Sequence, residues 1–214
     1  MEQTQERYLI WNPVSGTPSR QEEFRALVDQ LNCSVMQTTE QRGAEEIARD
    51  LLEQSPEKIV VAGGDGTVRQ VVSALQEHSS TIPLGIIPLG TGNDFYRSLC
   101  EDLDLQVAIQ RALGEQTSCV DLIHVRGEQG SLLCTNMFSL GFGGQIAESM
   151  EVQEKSNWGK WAYLYRCLSK SLEAETFQLQ LTLDGQTFLF DHVLNLFVAN
   201  GRCVAGGWNI VPPH

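Results

Sequence analysis

In the first half of the chain, short continuous apolar runs alternate with stretches whose apolar residues fall at helical spacing. Tyr8–Asn12 is an apolar run that stops at Pro13 and predicts a strand. Arg20–Leu31 sets Phe24, Leu27, Val28 and Leu31 on one helical face. Ser34–Thr38 predicts a second strand, and Ala44–Leu52 a helix with Ile47, Leu51 and Leu52 inward. Lys58–Ala62 is a buried strand running into a glycine loop, followed by a helix over Thr67–Leu75 carrying Val68, Val71, Val72 and Leu75. Leu84–Leu89 is a further strand, with another glycine loop after it, and Val107–Leu113 closes the half as a helix. Strands alternating with helices of this length predict βαβ units and a parallel sheet covered on both faces.

The pattern changes near Cys119. Val120–Val125, Ser131–Leu140, Phe177–Leu183 and Thr187–Ala199 are long β-prone stretches, and Asp184-Gly185 between two of them is a hairpin signal. Only Trp158–Leu172 and Gln145–Met150 have helical spacing there. The expected architecture is therefore a three-layer α/β domain over residues 1–118 and a strand-rich domain over 119–214.

Charge sharpens this picture. The 214 residues carry 15 basic and 27 acidic side chains, a net charge of −12. Such a surface argues against nucleic acid, whose binding rests on neutralising phosphates with Lys and Arg. No apolar run approaches the ~20 residues that span a bilayer. The opening MEQTQERYLIWNP has no basic start followed by an apolar stretch, so a cytoplasmic, soluble protein is expected. The cysteines Cys33, Cys100, Cys119, Cys134, Cys167 and Cys203 form no C-x-x-C pair and predict small buried hydrophobes in a reducing compartment.

Candidate chemistry lies at the ends of the predicted parallel strands. Gly63-Gly64-Asp65-Gly66-Thr67 follows one strand and opens a helix, where free backbone N–H groups and the helix dipole favour an anion. Glycines let the backbone approach a phosphate closely. Asp65 would repel a bare phosphate, but suits a site in which Mg²⁺ bridges carboxylate and phosphate oxygens. Gly90-Thr91-Gly92-Asn93-Asp94 follows the next strand, and Asn12-Pro13-Val14-Ser15-Gly16 follows the first. Three such loops converge on the crevice where open α/β sheets bind ligands. Neither the Walker-A pattern nor the dinucleotide-binding fingerprint is present.

In order and spacing, NPVSG, GGDGT and PLGTGNDF resemble the diacylglycerol kinase catalytic-domain family, its soluble bacterial lipid kinase branch above all, with sphingosine and ceramide kinases as more distant relatives. Val120-Asp121-Leu122, Ser139-Leu140-Gly141-Phe142-Gly143, Val198-Ala199-Asn200-Gly201 and Gly206-Gly207 extend the resemblance through the second half. GGDGT alone also occurs in NAD kinases, and GGDGS in phosphofructokinases. The GTGND loop points to the lipid-kinase branch. The resemblance implies a nucleotide domain of phosphofructokinase/NAD-kinase type followed by a β-sandwich, with ATP and Mg²⁺ as cofactors. Asn12, Ser15, Gly63, Gly64, Gly66, Thr67, Thr91 and Asn93 would bind nucleotide, while Asp65 and Asp94 would be the catalytic and metal residues. The γ-phosphoryl group would pass to the hydroxyl of a diacylglycerol-like lipid. Two alternatives stay open: a nucleotide-binding remnant without phosphotransfer, and a small-molecule kinase of the NAD-kinase type.

The sequence ends at Val211-Pro212-Pro213-His214, short of the family's later Asp-Gly element and general base. It thus reads as a C-terminally shortened member, with an incomplete sandwich and phosphotransfer near background. Unpaired strand edges in such a sandwich predict aggregation or pairing, a homodimer included. Lys155–Lys170 holds Lys155, Lys160, Arg166 and Lys170 among Trp158, Trp161, Tyr163 and Tyr165, with no acid. Lys155, Trp158, Lys160 and Trp161 are therefore candidates for peripheral membrane contact, against the alternative of a helix packed on the second domain. His124 and His192 fall inside strand-like runs and are read as structural. Arg69, in the first turn after Thr67, is read as a solvated surface cation.

Overall fold

The computed structural model describes residues 7–128, 130–141 and 176–209. The first half forms a four-stranded parallel sheet of β1 (Arg7–Trp11), β2 (Ser34–Gln37), β3 (Lys58–Gly63) and β4 (Leu84–Pro88), in the order β2-β1-β3-β4. Central β3 is buried from end to end, which is why it reads as an unbroken apolar run rather than an alternating one.

The period of two in the strands divides the core between the two faces. Ile10, Ile59 and Val61 point to one face. There they meet Ala44, Ile47 and Leu51 of α2 (Ala44–Leu52) and Val68, Val71 and Leu75 of α3 (Asp65–Glu77). Leu9, Trp11, Val60, Ala62 and Ile87 point to the other. They pack on Phe24 of α1 (Pro18–Val28) and on Leu105, Ile109 and Ala112 of α5 (Leu105–Leu113). The first domain is therefore three-layered, as the strand–helix alternation predicts. Phe24 is fully buried and meets Trp11 edge-on at 5.4 Å between ring centroids. Phe24→Ala is expected to cost about 3–5 kcal/mol in urea denaturation, since it removes a large side chain from a close-packed layer.

One helix has no counterpart in the sequence reading. Asp94–Leu99, here α4, begins directly after left-handed Asn93 (φ 53°). It is only six residues long, too short for hydrophobic periodicity to register. Elsewhere α2 matches the expected helix, α3 and α5 start two residues early, and α1 starts at Pro18 but stops at Val28, short of Leu31. Two of the starts are capped: Thr17 Oγ1 accepts from Arg20 N at 3.4 Å, and Asp104 Oδ1 from Val107 N at 3.0 Å.

The second half departs from the expected boundary at residue 119. The chain folds as two compact units: Met1–Asn136 with Asn200–His214, and Met137–Ala199. The antiparallel pair β5 (Ile123–Gly127) and β6 (Gly130–Cys134) stays with the first unit, because Leu122 and Leu133 pack on its core. The chain re-enters that unit at Asn200, where Asn200 N and Gly201 N both donate to Asn136 O, at 2.8 and 2.9 Å. The 203–209 segment then forms a small antiparallel pair, β11 (Cys203–Val204) with β12 (Trp208–Asn209).

The other unit contains two antiparallel pairs. These are β7 (Met137–Gly141) with β10 (Asn195–Ala199), and β8 (Phe177–Leu183) with β9 (Gln186–Val193). Asp184 and Gly185 join the latter pair with φ of 49° and 78°, as a two-residue hairpin requires. Two expected strands prove to be four. Ser131–Leu140 breaks at Asn136, whose side chain donates to Cys203 O at 2.8 Å, and Thr187–Ala199 breaks just after left-handed His192 (φ 58°). Among the described residues of this unit, Leu189 of β9 and Phe197 of β10 are 78% and 55% exposed.

Cysteine burial is mixed. Cys134 and Cys203 are buried, as expected, and burial pushes the Cys134 thiol above its usual range. Cys119 is exposed, contrary to the expectation, because it lies in the irregular stretch between α5 and β5 where no layer covers it. Cys167 lies outside the described residues. So do the helices expected over Gln145–Met150 and Trp158–Leu172, together with Lys155, Trp158, Lys160 and Trp161. Among the described residues no helix is long and apolar enough to cross a membrane.

Candidate active site

All three glycine-containing loops leave the C-terminal ends of adjacent parallel strands and meet within the first unit. The loop after β3 and the loop after β4 touch backbone to backbone: a Cβ on Gly90 would lie 2.5 Å from Gly64 Cα. Leu89 N and Gly90 N both donate to Gly63 O, at 2.9 and 3.3 Å. The loop after β1 reaches the same place, since a Cβ on Gly16 would collide with Leu89 O. Only glycine permits such close approach, so the sequence pattern and the packing share one cause.

The first loop is held rigidly. Asn12 Oδ1 accepts from Val14 N at 3.1 Å in a local turn, and Asn12 Nδ2 donates to Thr67 Oγ1 at 3.0 Å. Sequence reasoning missed Gln21, which α1 buries beside this loop. Its Nε2 donates to Ser15 O at 2.6 Å and Asn12 O at 3.2 Å, while its Oε1 accepts from Trp11 Nε1 at 2.9 Å. Gln21 lies three residues before Phe24 and seven before Val28, on the apolar face of α1, and that position was the available signal, because a polar group there needs partners.

The second loop opens α3. Its N-cap is Gly64, and no side chain caps the helix. The first N–H groups of a thirteen-residue helix are thus left without intrahelical partners, at the positive end of its dipole. Gly66 is exposed, and a Cβ there would meet nothing within 4 Å. Thr67 is buried against Gly63, so its hydroxyl serves Asn12 while its N–H stays in the uncapped turn.

The two candidate acids are both engaged. Asp65 Oδ2 accepts from Asp94 N at 3.1 Å and Asp65 Oδ1 from Phe95 N at 3.0 Å, so Asp65 caps α4 from the neighbouring loop. Asp94 Oδ1 accepts from Gly206 N and Gly207 N, both at 2.9 Å, and Oδ2 from Gly206 N at 3.2 Å. Asn93 donates to Gly90 O at 2.6 Å, and its Oδ1 is buried without a partner. Thr91 is exposed at the rim. Thr17, Arg20, Thr91, Asn93 and Arg97 line a cleft beside the loops. Arg20 is tied there by hydrogen bonds to Leu103 O at 2.5 Å and Pro88 O at 3.5 Å. The structure therefore brings Asn12, Ser15, Gly63, Gly64, Asp65, Gly66, Thr67, Thr91, Asn93 and Asp94 onto one end of one sheet.

The residues present fit a nucleotide's phosphates: the α3 terminus supplies unpaired N–H donors, and Gly66 leaves space above them. For a divalent cation, no group of three or more potential ligands exists among the described residues. An all-protein cage is thus not formed here. A Mg²⁺ that keeps its waters and takes phosphate oxygens needs only one or two carboxylates.

A three-layer domain with anion-suited loops at the carboxyl ends of its parallel strands defines an α/β protein with a strand-end binding site. Within that class the chain belongs to the diacylglycerol kinase catalytic domain family, which matches residues 6–125. A protein of Pseudomonas syringae pv. tomato, described as a probable lipid kinase of the YegS-like type, is 34% identical over 215 residues, covering 98% of this chain and 68% of its own. A Xanthomonas campestris pv. campestris protein of the same description is 29% identical over 209 residues, covering 93% of this chain and 67% of its own. A diacylglycerol kinase structure from Bacillus anthracis superposes with a TM-score of 0.70 at 25% identity, over 97% of this chain and 68% of that one. The chain thus spans about two thirds of the length of these relatives.

Proposed function

We propose that the chain is the nucleotide-binding part of a lipid kinase that moves the γ-phosphoryl group of ATP to the hydroxyl of a diacylglycerol-like lipid. The observation that carries this reading is the uncapped start of α3 beneath open Gly66, in a loop packed against two others. Phosphoryl transfer needs little covalent chemistry from the protein and much positioning. Backbone N–H groups of the Gly64–Thr67 turn hold phosphate oxygens, and Asn12 and Ser15 border them from the first loop. Mg²⁺, when bound, would neutralise charge on the phosphates, and Asp65 would hold it together with phosphate oxygens and water. Thr91 and Asn93 shape the opposite wall. Lys155, Trp158, Lys160 and Trp161 are proposed to bring the protein to the lipid surface.

The test is incubation of the 214-residue chain with radiolabelled ATP and mixed micelles of diacylglycerol, with NAD⁺ as the competing acceptor. Label in lipid phosphate supports the reading, and label in NADP would replace it with the NAD-kinase alternative. Nucleotide binding without label in either acceptor would leave a nucleotide-binding module.

A further inference from the structure

Asp94, Arg97, Ser98 and Glu101 recur at the spacing of one helical face, at α4 and just past its end, and the Arg202–Gly207 segment covers them all. Glu101 pairs with Arg202 at 2.9 Å. Ser98 Oγ accepts from Arg202 N at 3.1 Å and Cys203 N at 3.3 Å. Arg97 fixes its own loop by donating from Nε to Gly92 O at 2.9 Å, and its guanidinium lies against Gly207. At the head of the face, Asp94 receives three contacts from two backbone N–H groups. Those groups converge because Ala205, Gly206 and Gly207 take φ of 51°, 80° and 105° in succession. Successive backbone N–H groups turned to one side in such a turn make a concave nest suited to an anion. Ala205 adopts that conformation at a steric cost which glycine would avoid.

We propose that Asp94 is a positioning residue and not a magnesium ligand. Together with Asp65 it forms a two-step latch. Asp65 fixes the start of α4 against the phosphate loop, and Asp94 fixes the Ala205–Gly207 nest against the start of α4. The latch keeps the Gly90–Asp94 loop in register with Gly64, across the contact that closes one wall of the phosphate cradle. A metal-ligand role would need Asp94 to offer oxygens to a cation. Instead Asp94 Oδ1 accepts two N–H groups and Oδ2 shares one of them, whereas each Asp65 oxygen accepts a single N–H and keeps a lone pair for a cation. This inference rests on the nucleotide reading above for its effect on binding, but not for its effect on the nest itself.

Two variants of the full chain separate the roles. Asp94→Asn removes the charge that the nest holds. Gly207→Ala leaves Asp94 intact but forces an L side chain to φ of 105°, with its Cβ 3.2 Å from Arg97 Nη1. Binding of a non-hydrolysable ATP analogue is measured by calorimetry with Mg²⁺ and with EDTA, and amide exchange is followed at Gly206 and Gly207. The latch predicts about tenfold weaker binding in both variants, to the same degree with and without the metal. It also predicts about tenfold faster exchange at the two glycines. A loss confined to Asp94→Asn in Mg²⁺, with Gly207→Ala at the wild-type level, would overturn it, as would unchanged exchange. If wild-type chain binds no analogue under either condition, the nucleotide reading fails and exchange alone decides the latch. If Asp94→Asn does not fold, the Gly207→Ala comparison carries the test.

Discussion

Gly66→Ala is expected to weaken nucleotide binding about tenfold or more while leaving the melting temperature unchanged or slightly raised. The two effects have separate causes. A Cβ at Gly66 meets no protein atom within 4 Å, so the fold accepts it. In the first turn of a helix, alanine also loses less backbone entropy than glycine, by roughly 0.5–1 kcal/mol. On the proposed reading a phosphate approaches the N–H groups through this open space, and a methyl group there would hold it off. Gly90→Ala gives the opposite signature. Its Cβ would sit 2.5 Å from Gly64 Cα and 2.8 Å from Asn93 Oδ1, so one loop must move. Overpacking of that kind costs about 1–3 kcal/mol, and the melting temperature falls by several degrees whether or not ligand is present. Calorimetry and thermal melts on the pair check the assignment. A Gly66→Ala variant that binds nucleotide like wild type would remove the α3 terminus from the site.

The second large effect is expected at Asp65. Asp65→Ala deprives Asp94 N and Phe95 N of their acceptor, and the short α4 loses the cap that starts it. Hydrogen bonds to a charged acceptor contribute roughly 1.5–3 kcal/mol each, and non-additivity between neighbours holds the total to about 2–4 kcal/mol in urea denaturation. Asp65→Asn keeps one acceptor oxygen and should recover about half of that loss. The same Asn variant is expected to weaken Mg-ATP binding more than metal-free ATP binding, because it also removes a ligand charge. A carboxylate acting only on metal would leave apo-protein stability untouched by either substitution. The denaturation midpoint of the ligand-free chain therefore distinguishes a side chain with two tasks from one with a single task.

Much of the first unit is written in local pattern. Continuous apolar runs mark strands buried on both faces, and helical spacing marks the covering layers. Ala44–Leu52 matches the expected helix at both ends, because its apolar stripe and its acidic first turn agree. The glycine loops were equally legible: closeness to another backbone permits nothing larger, so glycine appears wherever the chain needs it. The second half was less legible. Ser131–Leu140 and Thr187–Ala199 read as single strands because β-propensity is continuous through them. Their breaks come from Asn136 and His192, one set by a partner far along the chain and the other by a left-handed turn. The change of texture at 119 does not coincide with the division into compact units. Composition changes there, but Leu122 and Leu133 bury themselves on the first core, and Asn200 returns to Asn136.

The sequence by itself determined the parallel α/β class, the three loops at its strand ends and the anion-suited turn before α3, since each follows from periodicity or from glycines that permit close backbone approach. What only the tertiary structure decided is the work of the two acids. Asp65 and Asp94 stand in loops that invite a metal-ligand reading, yet their partners are backbone N–H groups 29–30 and 112–113 residues away along the chain. A carboxylate's role depends on which donors reach it in three dimensions, and donors that distant leave no trace in local sequence.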